Sequence, residues 1–474
     1  MDRNARAFKE NVKEALQQEN LAGVLDIMNK FSPIGRNIAV GKLPEFEALR
    51  DNARDIKNHV LANLDFYLEE YEAKVIESGG HVHWCETHEE ARQKVLEICK
   101  SVDAKLVTKG KSMITEEMHL NAFLEDNGII PVETDMGEYI VQLADEPPSH
   151  IIGPAIHKTK EEVTELFYKH HKTQRWTEGE DLMLEGRKIL REKYFEADVG
   201  ITGANFLIAE SGTSVIVTNE GNGDLTQSLP KVHIVCASLE KVIPSFEDFS
   251  QFIRLLPRSA TGQEISVYTT FSTGPKRAKD PDGPEQYHVI LLDAGRSKLL
   301  GTQYQEVLRC IRCAACLNHC PVYTAVGGHA YGATYQGPIG AALDPVIVGL
   351  DEARHLPNAW SFCGRCEAVC PVRIPIPKIL RYWRAEAFDS KSQPLKERAG
   401  LSLWTWFATR PKLYQLLAGA GVATLAKAGG AKGHLKRFPF LSGWTNHRDL
   451  PAPEGKTFQA LYKKAQKEKR RVSP

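Results

Sequence analysis

The sequence predicts an α/β domain followed by a helical, cysteine-rich segment. Three observations carry this. Between residues 81 and 295, short apolar strand-like runs alternate with amphipathic helical stretches across short links, the pattern of a parallel sheet covered by helices. From QEVLRCIRC onward the strand-like runs stop and helical patterning takes over. Seven of the ten cysteines fall in two tight groups within that second region.

Residues 1–60 read as helix, and the pattern continues to about residue 75. LPEFEALRDNARDIKNHVLANLDFYLEEYEAKVIES repeats apolar residues at intervals of three and four. The α/β domain is placed at 61–295. HVHWC (81–85) is a strand, THEEARQKVLEICKSV a helix and KLVTKG (105–110) a strand. EEMHLNAFLEDNG is a helix ending on Gly128, and IIPVET a strand. After a charged helical stretch, VGITGANFLIAESGTSVIVTNEG gives two or three short strands around glycine turns. KVHIVCASLEKVI reads as a strand and a helix start, and EISVYTTFSTG and QYHVILLDAG as further strands. The cysteine-rich segment spans 296–390, its two motifs separated by the glycine-rich AVGGHAYGATYQGPIGAAL. Residues 391–474 are helical at first, lose pattern after about Gly429 and end in a basic tail, KKAQKEKRR, expected to be solvated and frayed.

The chain has 474 residues, with 60 basic and 60 acidic side chains, so its net charge points to no nucleic-acid partner. No run of about 18 apolar residues suggests a membrane-spanning helix. The N-terminal MDRNARAFKENVKEALQQ lacks the apolar core of a secretory signal, so the expected location is the cytoplasm. Clustered thiols in such a chain point to metal rather than disulfides. The remaining cysteines, Cys85, Cys99 and Cys236, read as small buried hydrophobes.

CIRCAACLNHCPVY sets Cys310, Cys313, Cys316 and Cys320 at spacings of two, two and three residues, with Pro321 next. Zinc knuckles pair cysteines differently; this run is the iron–sulfur ferredoxin signature, whose fourth cysteine serves a second cluster. CGRCEAVCPV adds Cys363, Cys366 and Cys370 before Pro371. By exchange, Cys370 joins Cys310, Cys313 and Cys316 on cluster 1, leaving Cys320, Cys363 and Cys366 for cluster 2. The position where a full motif would carry an eighth thiol is Trp360. Cluster 2 is then a 4Fe–4S cluster with a weak or open site, a three-iron cluster, or one completed by another protein. His319, His329 and His355 are candidate ligands, against the alternative of ordinary hydrogen-bonded histidines. Arg309, Arg312 and Arg365 flank the ligands, where they either ease reduction or are simply solvated.

In the α/β domain, TKGKSMITEE (108–117) has the glycine, lysine and hydroxyl of an anion-binding turn, and AESGTSVIVTNEGNG (209–223) is a second glycine-bearing loop. Neither matches a dinucleotide or Walker pattern, so a small-anion pocket and plain strand–turn–helix punctuation both stand. WTWFATRPKLYQLLAGAG near the C-terminus reads as a cover for the cluster segment, a partner surface or a peripheral membrane contact, in that order.

Four stretches together resemble the lactate utilization protein B family over essentially the whole chain: TKGKSM with ETDMGEYIVQL and PSHIIGPAIH; TGANFLIAESGTSVIVTNEGNGD; CIRCAACLNHCPVY with GGHAYGATYQGPIGA; and CGRCEAVCPVRIPIP. The resemblance implies a LUD domain, similar in fold to the sugar-phosphate isomerase and CoA-transferase group, followed by an α-helical ferredoxin-type domain. It implies two 4Fe–4S clusters on the same two sets of cysteines. It also implies companion proteins A and C in oxidising L-lactate to pyruvate, with this chain carrying electrons and no catalytic residue of its own. The alternative is that the LUD domain itself binds and oxidises a small 2-hydroxy acid, passing electrons to the clusters.

Overall fold

The structure, a computed structural model, describes residues 4–436, 445 and 448–472. Two compact units divide between Ser392 and Gln393.

In the first unit, six strands form a wholly parallel sheet: β1 (His81–Cys85), β2 (Leu106–Gly110), β3 (Ile130–Glu133), β4 (Val199–Thr202), β7 (Val232–Ser238) and β10 (Gln286–Leu292). Their spatial order is β1-β10-β7-β4-β2-β3. The central strand VHIVCAS is buried at every residue, as a strand covered on both faces must be. From β2 the chain proceeds to β3 on one side, and from β4 to β7 on the other. The crevice beyond the ends of β2 and β4 is therefore a topological switch point, where open α/β sheets bind ligands.

The remaining strands leave this sheet. β5 (Phe206–Ile208), β6 (Thr213–Thr218), β8 (Val242–Ile243) and β9 (Tyr268–Ser272) form a second, mixed sheet in the order β8-β5-β6-β9. The expected helix start in ASLEKVI is a single 3-10 turn, Leu239–Lys241, feeding β8. Burial of the Val242 and Ile243 side chains on β5 outweighs the local helical pattern. The single helix expected over EEMHLNAFLEDNG is two, Met113–Glu117 and Leu120–Asp126, broken at His119 with φ 51°.

Helices Phe8–Ala15, Glu19–Gly41, Phe46–Ala62 and Leu64–Glu77 precede the sheets. Short helices and turns carry the chain from Ser297 to helix Ile376–Asp389. One hydrophobic core is shared by Leu25 and Phe46 of the N-terminal helices, Ile208 and Val215 of the second sheet, and Leu317, Tyr323 and Trp383 of the cysteine-rich segment. The glycines of the link between the cysteine motifs serve close chain approach: a Cβ on Gly328 would meet Ser149 O, and one on Gly332 would meet Asn4 O.

In the second unit, helices Leu395–Ala408 and Pro411–Gly429 pack on each other. The first buries none of its residues and leaves Trp404 and Trp406 exposed. The basic tail, expected to fray, lies in helix Phe458–Val472. Among the described residues no helix is long and apolar enough to cross a membrane.

Candidate metal centre

The cysteine motifs fold as two copies of one turn. Arg312, Cys313 and Ala314 in the first match Phe362, Cys363 and Gly364 in the second, with Arg312, Ala314, Phe362 and Gly364 all at positive φ. A four-residue helix follows each, Ala315–Asn318 and Arg365–Ala368. Backbone N–H groups in and after these motifs point at sulfur. Arg312 N donates to Cys310 Sγ at 3.4 Å, Tyr323 N to Cys320 Sγ at 3.5 Å and Ile374 N to Cys370 Sγ at 3.4 Å. Such donors stabilise thiolate over thiol.

The thiols sort into two groups by whose charge each feels. Cys370 feels Cys310, Cys313 feels Cys370 and Cys310, and Cys316 feels Cys310, Cys313, Cys366 and Cys370 in that order. Cys363 acts on both Cys320 and Cys366, and Cys366 also faces Cys316 across the groups. Burial pushes the Cys366 thiol up to about 12 and the Cys370 thiol up to about 11. Sulfur in that setting keeps its proton unless a metal replaces it. Cys363 is exposed; slight burial pushes it up, but the Ser361 hydroxyl, the Arg365 N–H and the Arg365 charge together bring it below an ordinary thiol. Seven soft donors near backbone N–H groups fit iron–sulfur clusters in chemistry, with one thiolate fewer than two fully cysteine-bound clusters take.

The N-terminal helices hold this region from outside, a role that sequence spacing does not reveal. Arg50 gives Cys370 O two hydrogen bonds, from Nε at 3.0 Å and NH2 at 2.7 Å, and also reaches Ala368 O at 2.7 Å. Arg36 binds Val369 O at 3.1 Å. Arg309 is buried, bonding Asn58 at 2.6 Å and Arg373 O at 3.0 Å. Arg312 is buried between Glu240, at 3.1 Å, and the Tyr335 ring, 4.5 Å away. Arg365 is exposed. Of the candidate histidines, His319 engages Ala315 O at 2.8 Å and His329 engages Pro147 O at 2.7 Å. His355 lies 3.5 Å from Arg354 Nε. His329 also meets His157 and Glu146, but Glu146 is already bound to His157 at 2.7 Å and to Lys158 at 2.6 Å.

The two loops singled out in the α/β domain meet around one cavity of about 540 Å³ at the switch point. Lys111 and Ser112 line one side, and Thr218, Asn219 and Glu220 another. The expected anion contacts of the first loop are already taken. Lys111 pairs with Asp135 and, at 2.9 Å, with Glu220, while Lys109 pairs with Glu133 at 2.6 Å. Cys85, Cys99 and Cys236 are buried, and Cys236 also contributes to the cavity wall.

The LUD domain family matches residues 68–292, and the 4Fe-4S dicluster domain family matches residues 306–374. The family described as lactate utilisation protein B, C-terminal, matches residues 387–467. Lactate utilization protein B of Bacillus velezensis is 41% identical to this chain, over 98% of both. The chain belongs to the lactate utilization protein B family. The Bacillus subtilis member is 41% identical over 96% of this chain and 95% of its own length. The Geobacillus kaustophilus member is 41% identical over 97% of each. A crystal structure of a duf162 family protein from Deinococcus radiodurans overlaps 48% of this chain and 98% of its own, at 11% identity and a TM-score of 0.27. The cysteine-rich segment of this family member thus carries an iron–sulfur domain, joined to a LUD domain.

Proposed function

We propose that this chain is the iron–sulfur electron carrier of a cytoplasmic lactate-oxidising complex, working with companion proteins A and C. Cluster 1 is held by Cys310, Cys313, Cys316 and Cys370, and cluster 2 by Cys320, Cys363 and Cys366. Each cluster, when bound, supplies a one-electron centre. The chain's own residues bury most of these thiols, leave Cys310 partly covered and bring the second group to the surface at Cys363. What supports this reading is that Cys370 lies within charge reach of Cys310 and Cys320 within reach of Cys363, as a crossed ligand set for two adjacent clusters would have them. The names and near-complete coverage of the curated relatives support the lactate assignment.

On this reading, residues 61–295 form a LUD domain related to the sugar-phosphate isomerase and CoA-transferase group. Residues 296–390 form the ferredoxin-type domain, with a helical region before them (1–60) and another after (391–474). The cavity at the switch point favours a second reading, in which the LUD domain binds a 2-hydroxy acid and oxidises it directly.

Anaerobic purification with iron and sulfide counting, followed by lactate addition, tests both. The first reading expects a coloured protein that lactate bleaches only when companions A and C are present. Bleaching by lactate alone favours the second reading. A colourless protein carrying zinc defeats both.

A further inference from the structure

The cavity at the ends of β2, β4 and β7 is walled by charged groups that the electron-carrier role does not require. Gly203, at the end of β4, is pressed so close to the loop after β2 that a Cβ there would meet Lys111 O at 2.4 Å. The two loops are thereby locked into a fixed rim. The acidic groups of the wall have partners of their own: Asp135 and Glu220 share the Lys111 ammonium, and Glu138 accepts the Lys111 backbone N–H at 3.1 Å. Arg312, which lines the cavity, meets Glu240 at 3.1 Å; Glu240 meets Arg296 at 3.3 Å, and Arg296 also binds Glu117 at 2.7 Å. Two carboxylates therefore face Arg296, Arg312 and Lys241.

Lys241 is the cation left over. It is 7% exposed, lines the cavity, and its ammonium makes no hydrogen bond or ion pair among the described residues. Burial and then the charge of Arg312 pull it down to about 7, while Glu240 and Cys310 hold it up. A buried ammonium without a partner is costly, and a carboxylate supplied from solvent removes that cost. Asn205 lines the same cavity; its Oδ1 accepts a hydrogen bond from Val217 N at 2.9 Å, and its amide nitrogen makes no hydrogen bond among the described residues. Met113, Ile151, Ile156, Met183 and Leu256 supply apolar wall to the same cavity.

We propose that this cavity is a binding site for a small carboxylic acid, its carboxylate on Lys241 and Asn205 and its body toward the apolar wall. The site abuts Arg312, whose N–H donates to Cys310 Sγ, so a bound acid lies next to the first thiol group. The site stands on the cavity itself; only the choice of lactate and pyruvate as probes rests on the functional reading above.

Titration calorimetry on the anaerobic full-length protein tests it, with L-lactate, pyruvate and hexanoate as probes and lactamide as the uncharged isostere of lactate. The expected result is saturable binding of at least one acid and none of lactamide. Lys241→Met should weaken that binding at least tenfold. A measurement on the unaltered protein needs no variant to fold: the bound acid should slow reductive methylation of Lys241, read by peptide mass spectrometry, and lactamide should not. Binding of hexanoate alone upholds the site and detaches it from lactate. Failure of all three acids at millimolar concentration overturns the proposal. So does unchanged binding in Lys241→Met, or a Lys241 whose only measurable effect is on cluster potential.

Discussion

Trp360 stacks on Phe362 with ring centroids 4.0 Å apart and an interplanar angle of 28°. It stands three residues before Cys363, where Cys310 stands three residues before Cys313. Its indole Nε1–H is buried without a hydrogen-bond partner among the described residues, and the ring packs against the core. An indole cannot ligate iron, so the second group offers three thiolates. Trp360→Cys should supply the fourth. Mild oxidation of the purified protein is expected to convert cluster 2 to a three-iron form, visible by paramagnetic resonance. In Trp360→Cys that signal should fall several-fold, while Trp360→Phe should keep it. An equal signal in both variants would remove the open corner from the second group.

Arg50 fixes the Cys370 loop from a helix more than three hundred residues away in sequence. Deleting its guanidinium leaves the Cys370 and Ala368 carbonyls short of donors, at a cost of about 1–3 kcal/mol for each buried group left unsatisfied. Arg50→Ala should lower the thermal midpoint and release iron from the first thiol group faster under chelator challenge. Arg50→Lys should recover part of both, because one ammonium cannot span two carbonyls in the geometry of the fork. Iron release at the wild-type rate in Arg50→Ala would show that the loop holds itself.

These contacts mark where the sequence is readable and where it is not. The strands of the parallel sheet and the two cysteine turns are written locally, in apolar runs and fixed spacings. The departure of β5, β6, β8 and β9 into a second sheet is not local. Those runs have the same strand character, and only their partners distinguish them. Nor do Arg36 and Arg50 stand out within an amphipathic helix, since their partners are carbonyls beside Cys370. Lys241 sits in ASLEKVI, where alternation and helix patterning conflict, and only the 3-10 turn aims it into the cavity. The glycine loops are legible as a possible anion site, but the lysines of the first are paired, and Lys241, a cation with no ion pair among the described residues, lies on another strand connection.

Cys363, Phe362 and Arg365 form the exposed edge of the second thiol group. A redox partner docking there meets the Arg365 guanidinium, and charge at the rim of an interface acts mainly on association. Arg365→Glu should leave iron content unchanged. It should slow electron transfer to or from the companion proteins several-fold at low salt, and the difference should shrink at high salt. Stopped-flow absorbance across a salt series measures this. An equal effect at every ionic strength would point instead to damage at Cys363.

His150 joins the α/β region to the cysteine motifs. Its Nδ1 accepts hydrogen bonds from Ile152 N at 3.1 Å and Gly153 N at 3.0 Å, so Nε2 carries the hydrogen donated to Asn318 Oδ1 at 2.9 Å. Burial pulls this histidine down to about 4, against the Asn318 bond that favours the charged form. Unfolded, it titrates near 6.5. Between those values the unfolded chain binds a proton that the folded chain refuses, so stability falls as pH falls from about 6.5 toward 4, by up to about 1.4 kcal/mol per pH unit. His233, His288 and His329 are depressed by burial too and add to the total slope. The difference between wild type and His150→Asn isolates this one residue, because the asparagine oxygen can stand in for Nδ1 without titrating. Urea unfolding at pH 7.5, 6 and 5, chosen around that window, should show a shallower pH slope in the variant. Parallel slopes would mean that His150 stays neutral in both states or charged in both.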